Sequence, residues 1–160
     1  PALRVGYLVA NWNILSRILP YKTDAGSGSL EQMALAEFCK NEFNDHVTKL
    51  RVELKKKSDV ICNALDKYFG STANYQKPDG GIFIWVDMPE NVDTSKLYDV
   101  AIKQGVAINP GLEWSVNPSG KHKMRLCYGN PTIQEIDQGV KLLAEICQKE
   151  FGVPKQIANQ

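Results

Sequence analysis

The strongest constraint on this chain is an apolar repeat running from about residue 44 to 69. Val47, Leu50, Leu54, Ile61, Leu65 and Tyr68 recur there at spacings of three, four and seven. The pattern predicts a long amphipathic helix, and a helix with one apolar face must be laid against a second layer. Gly70 ends it, because a residue free to take positive φ is a common helix stop. The run Lys55-Lys56-Lys57 lies inside this helix and reads as a solvated face, since Asp59 and Asp66 follow on the same helix.

The chain beyond Gly70 supplies the second layer. Lys77-Pro78-Asp79-Gly80-Gly81 has turn chemistry, and 82–87 reads as a strand closed by Pro89. Asp93-Thr94 opens a helix with Leu97, Val100 and Ala101 on its apolar side, terminated by Gly105. Residues 106–108 are expected as a short strand, Asn109-Pro110-Gly111 as a turn, 113–121 as an irregular loop and 123–128 as a strand. Thr132 with Glu135 forms a capping box for a last helix to about 150, and the tail beyond Gly152 is polar. Ahead of the long helix, 3–9 reads as a strand and 11–18 as a short helix stopped by Pro20. Ser29 with Gln32 reads as a capping box for a helix to about 41. This order gives an α+β fold, a sheet covered by helices on one face.

With 160 residues, 43% of them hydrophobic, the chain can bury a core without metals or disulfides. Nineteen basic against 18 acidic residues leave a net charge of +1, so no global field favours nucleic acid or an anionic membrane. The apolar run 81–86 is far short of the roughly 20 residues that span a bilayer, and no signal-peptide pattern opens the chain. A soluble, cytoplasmic protein is expected. The four cysteines form no C-x-x-C pair and read as small buried hydrophobes, so no metal site is expected. His46 and His122 have no partner at a catalytic spacing, and no G-x-G-x-x-G or P-loop is present. The chain starts at Pro1, in an apolar run without an initiator Met, as a piece of something longer would.

Two arginines stand out. Arg4 precedes Val5-Gly6-Tyr7, and Arg125 sits inside the apolar strand Met124-Arg125-Leu126-Cys127-Tyr128. A guanidinium among β-favouring apolar residues must face water or meet an anion, and its flat fork suits the two oxygens of a carboxylate or phosphate. From residue types alone, a cross-strand ion pair or an exposed edge position serves Arg125 equally well.

Several stretches in order narrow this choice: Pro1-Ala2-Leu3-Arg4-Val5-Gly6-Tyr7, Ser29-Leu30-Glu31-Gln32-Met33-Ala34-Leu35, Pro78-Asp79-Gly80-Gly81-Ile82-Phe83-Ile84-Trp85-Val86, Gly105-Val106-Ala107-Ile108-Asn109-Pro110-Gly111 and Met124-Arg125-Leu126-Cys127-Tyr128. Together they resemble the C-terminal part of class I and II aminotransferases, the fold-type I pyridoxal-phosphate enzymes. The similarity is greatest to the branch containing aminoadipate, kynurenine and aromatic aminotransferases.

The resemblance implies that 1–43 is the end of a large cofactor-binding domain with connecting helices, that 44–152 is the small C-terminal domain, and that 153–160 is a tail. It implies substrate binding by Arg125, which would hold the α-carboxylate, and by Gly80 and Gly81, in a segment closing over substrate; a plain turn is the other reading of that pair. It implies that Arg4 contacts pyridoxal 5'-phosphate and that the loop 26–29 approaches the cofactor phosphate of a neighbouring subunit. Tyr128 and Trp114 would line the side-chain pocket or else belong to the core. The family's cofactor lysine belongs in a Ser-x-Ser-Lys stretch ahead of Pro-x-x-Arg, and no lysine here has that context. No catalytic residue is therefore expected in this chain, which alone would be inactive. The parent would be a homodimer exchanging an amino group between an amino acid and a 2-oxo acid. Two alternatives remain: the sensor half of a winged-helix transcription regulator, which would bring nucleic acid in as a partner, and a pyridoxal-phosphate lyase.

Overall fold

The computed structural model describes residues 3–116 and 118–154. The chain divides into two compact units, Pro1–Lys49 and Leu50–Gln160. The motif residues Pro1 and Ala2, and the tail from 155 onward, lie outside the described residues.

In the first unit, α1 (Trp12–Ile18) is opened by Asn11, whose side chain accepts from the Ile14 amide. Pro20 then sits in a 3-10 turn, Leu19–Tyr21. The strand expected at 3–9 does not form: residues 4–11 carry no regular structure, and Tyr7 and Val9 are 92% and 85% exposed. An apolar run becomes a strand only where a neighbour takes up its backbone groups, and no described segment does so. Helix α2 (Ser29–Asn41) starts where expected, but its cap is displaced by one residue. Gly28 is the N-cap, and Gln32 Nε2 donates to the Ser27 carbonyl at 2.8 Å instead of returning to Ser29.

Helix α3 (Phe43–Tyr68) forms as the repeat predicts, but only its second half is buried, at Ile61, Cys62, Ala64 and Leu65, while Leu50 is exposed. Of the three lysines, Lys55 pairs with Asp59 and Lys56 with Glu53, both at the surface. Lys57 departs from the expected solvated face, since its half-buried Nζ donates to the Gly129 carbonyl at 2.9 Å and ties the helix to the chain leaving the sheet.

Among the described residues, four antiparallel strands complete the second unit: β1 (Asn74–Tyr75), β2 (Phe83–Asp87), β3 (Asn109–Pro110) and β4 (Lys123–Cys127), in spatial order β1-β2-β4-β3. Ile84 faces Leu126 and Val86 faces Met124 across β2 and β4. Period-2 alternation sends these four inward, where they join Leu97 and Ala101 of α4 (Thr94–Ala101) and Val140, Leu143 and Cys147 of α5 (Ile133–Phe151) in one core.

Both helix starts obey the sequence chemistry. Asp93 accepts from the amides of Ser95 and Lys96, while Thr132 and Glu135 complete the reciprocal capping box. The strand expected at 106–108 is displaced to Asn109–Pro110. Gly105 takes φ 87°, and the Val106 amide donates to the Ala101 carbonyl, closing the preceding helix before pairing with β4 begins.

Candidate functional site

Alternation along β2 and β4 also defines the other face of the sheet. Residues 84, 86, 124 and 126 are buried, so Phe83, Trp85 and Asp87 project to the opposite side together with Lys123, Arg125 and Cys127. Arg125 is flanked in register by Trp85 on β2 and Asn109 on β3. Its Nη2 donates to Asn109 Oδ1 at 3.3 Å. The guanidinium carbon lies 3.7 Å from the centre of the Trp114 ring and 4.1 Å from that of Phe83. Its Nε is buried without a hydrogen-bond partner.

Neither bland reading of Arg125 survives. Strand β4 is internal to the sheet rather than an edge. No Asp or Glu among the described residues forms an ion pair with the guanidinium. The one carboxylate on this face of β2, Asp87, is engaged by Lys123 at 3.2 Å. A half-buried cation with no counter-ion among the described residues, stacked by two aromatic rings, is suited to an anion supplied from outside the chain. By keeping water from the guanidinium, the rings would also strengthen such a pair.

Trp114 reaches Arg125 because the backbone folds tightly after β3. A Cβ on Gly111 would stand 2.6 Å from the carbonyl oxygens of both Gly120 and Lys123. Two segments can cross this closely only where a side chain is missing. The loop between them, entered through the 3-10 turn Gly111–Trp114, carries the indole. Trp114 lies outside the core; it is 54% exposed and packs on the candidate anion site itself.

Gly80 and Gly81 stand just ahead of β2. Gly81 has φ 83°, a conformation that favours glycine, and a Cβ at either position would meet nothing within 4 Å. Tyr128, almost fully buried, donates its hydroxyl to the Gly81 carbonyl at 3.0 Å. Burial pushes its phenol upward from the ordinary range. The turn is also tied to α3 by Lys77 and Asp59 at 2.8 Å, and the Lys55 and Lys77 ammonium groups hold the Asp59 carboxyl below the usual carboxylate range. A cavity of about 550 Å³ adjoins this segment, lined by Lys77, Pro78, Phe83, Trp85 and Asp87 among others. A larger hollow of about 1360 Å³, between the ends of α3 and α5, contains none of the candidate residues.

Arg4 belongs to the first unit. It is exposed, takes φ 53°, unusual for a residue with a side chain, and has no hydrogen-bond or ion-pair partner among the described residues. It therefore has donors free for a phosphate. His46 is exposed and meets the Phe38 ring edge-on at 5.4 Å. Two of the four cysteines, Cys39 and Cys127, are exposed rather than buried: Cys39 lies on α2, which buries no residue, and Cys127 on the open side of β4. Among the described residues no cluster could hold a metal, and no helix is long and apolar enough to cross a membrane. Asn109 and Phe83 are site residues that sequence reasoning missed. The alternation of β2 places Phe83 beside Arg125, but Asn109 is found only once the β3–β4 register is known.

The family model for aminotransferases of class I and II matches residues 1–143. An uncharacterized aminotransferase of Saccharolobus solfataricus is 31% identical over 94% of the chain, which covers 38% of that protein. An uncharacterized HTH-type transcriptional regulator of Bacillus subtilis is 30% identical over 93% of the chain, covering 31% of its length. The crystal structure of LysN, the α-aminoadipate aminotransferase of Thermus thermophilus, complexed with N-(5'-phosphopyridoxyl)-L-leucine, superimposes with a TM-score of 0.78. It shares 26% identity over 88% of this chain and 37% of its own. The chain thus spans little more than a third of the aminotransferases it matches.

Proposed function

The chain belongs to the class I and II aminotransferases, and on that premise we propose that it is the C-terminal part of an enzyme moving an amino group between an amino acid and a 2-oxo acid. The observation that carries this reading is the Arg125 guanidinium, displayed on the open sheet face with no counter-ion among the described residues. A 2-oxo acid and an amino acid differ at Cα but share a carboxylate. One fixed carboxylate anchor therefore serves both half-reactions and leaves the side chain to be read elsewhere.

Arg125 binds and orients that carboxylate, Phe83 and Trp114 shield the guanidinium from water, and Asn109 holds Nη2. Gly80 and Gly81 leave open space at the start of β2 for a substrate or a closing movement, while Tyr128 fixes the carbonyl of Gly81. Pyridoxal 5'-phosphate, when bound, supplies the electron sink. Of this chain's residues, Arg4, with no partner among the described residues, fits its phosphate. The lysine that anchors it and moves the proton is assigned to no residue here, so catalysis requires the remainder of the enzyme. The domain division at 43/44, a homodimer with loop 26–29 near the neighbouring subunit's cofactor, and a cytoplasmic location complete the proposal.

Arg125→Ala in the full-length enzyme is expected to lower kcat/KM for every amino acid by about 2–5 kcal/mol of transition-state binding. Steady-state kinetics over a panel of amino acids measures this, and unchanged values would remove Arg125 from the site. The similarity to an HTH-type regulator favours a second reading, in which the same half senses rather than reacts. A DNA-binding segment upstream of Pro1, with no amino transfer to 2-oxo acids, would decide for it.

A further inference from the structure

We infer that Trp114 is a positioning residue for the carboxylate anchor, acting through Arg125 rather than on the substrate's side chain. The inference deepens the proposed function and rests on it. Three contacts restrain the guanidinium. The Trp114 and Phe83 ring centres, at 3.7 and 4.1 Å from its carbon, stack on it and restrain its plane. The bond from Nη2 to Asn109 fixes the rotation within that plane. Nε is covered, so the group meets an incoming carboxylate through its terminal Nη1–Nη2 edge.

An arginine on a strand otherwise samples many rotamers, and each pairing would have to select one of them. The stack removes that freedom before the ligand arrives and lowers the cost of binding. Trp114 is the part of the device that does not come from the sheet. It depends on the Gly111 crossing, where the backbones leave no room for a Cβ. At 54% exposure the indole contributes little core, so its placement over Arg125 is not explained by packing alone.

A residue that positions a common anchor affects all substrates alike, whereas a pocket wall discriminates among side chains. In the full-length holoenzyme, Trp114→Ala is expected to lower kcat/KM by one common factor, roughly ten-fold, for every amino acid assayed with 2-oxoglutarate as acceptor. Trp114→Phe, which retains a ring over the cation, is expected to stay within about three-fold of the wild type. Trp114→Ala placed on Arg125→Ala is expected to cause no further loss, since the residue it acts through is gone. Thermal unfolding of each variant accompanies the kinetics. A loss that varies with the substrate side chain, a loss persisting in the Arg125→Ala background, or a Phe variant as impaired as Ala would each overturn the inference. If Arg125→Ala itself changes nothing, the proposed function fails first. If it acts as expected and Trp114→Ala does not, only the positioning role fails.

Discussion

The two faces of the sheet are made from the same ten residues of β2 and β4, yet they behave as different materials. On the covered face, Val86 and Met124 are fully buried, and Ile84 and Leu126 nearly so, in a continuous core with α3, α4 and α5. On the open face, one residue away in each case, Phe83, Trp85, Arg125 and Cys127 are half-buried or exposed. Strand periodicity assigns stability to one face and chemistry to the other. Stability and binding should therefore separate between adjacent residues of β4.

The sharpest test contrasts neighbours. Met124→Ala removes a fully buried side chain and is expected to cost about 2–5 kcal/mol of stability. Arg125→Ala, on the other face, is expected to change the unfolding free energy by less than about 1 kcal/mol while abolishing tight carboxylate binding. Denaturant unfolding of both variants checks this. Equal losses would mean that the guanidinium stack is itself a structural core, and the division of labour would fall.

An intermediate effect is expected at the crossing that joins the faces. Gly111→Ala drives a Cβ to 2.6 Å from two backbone carbonyl oxygens, neither of which can move as the end of a flexible side chain would. Overpacking of this kind costs about 1–3 kcal/mol. It should also lift Trp114 from Arg125, so a loss of stability without any change in carboxylate affinity would show that the loop does not depend on the crossing. Circular dichroism melts and inhibition by a simple carboxylate read the two effects separately.

Local chemistry made most of the helices legible, because a capping box such as Thr132 with Glu135 is written within four residues. It failed where partners are distant. The apolar run 3–9 has the composition of a strand and no described neighbour to pair with. Residues 106–108 have the composition too, but the Val106 amide is used to close α4. At the site, Arg125 was legible as a charge out of place in an apolar strand. Its surroundings were not, since Asn109 reaches it through the β3–β4 register and Trp114 through a backbone crossing that no periodicity encodes.

The smallest expected effect compares thiols from the two sides. Cys147 of α5 is fully buried, and burial pushes its thiol from 9.0 up to about 12, whereas Cys127 lies exposed on the open face. A raised acid pKa in the fold means that the unfolded chain gives up its proton first. The contribution of Cys147 is therefore fully present below pH 9 and is lost as pH rises toward 12. Burial raises Cys62 in the same direction, so Cys147→Ala should flatten the alkaline decline only in part. Cys127→Ala keeps Cys147 in place and so should keep that decline. Unfolding free energies measured across roughly pH 8–11 in both variants decide the matter, and a slope left unchanged by Cys147→Ala would mean that the covered face admits solvent to this thiol.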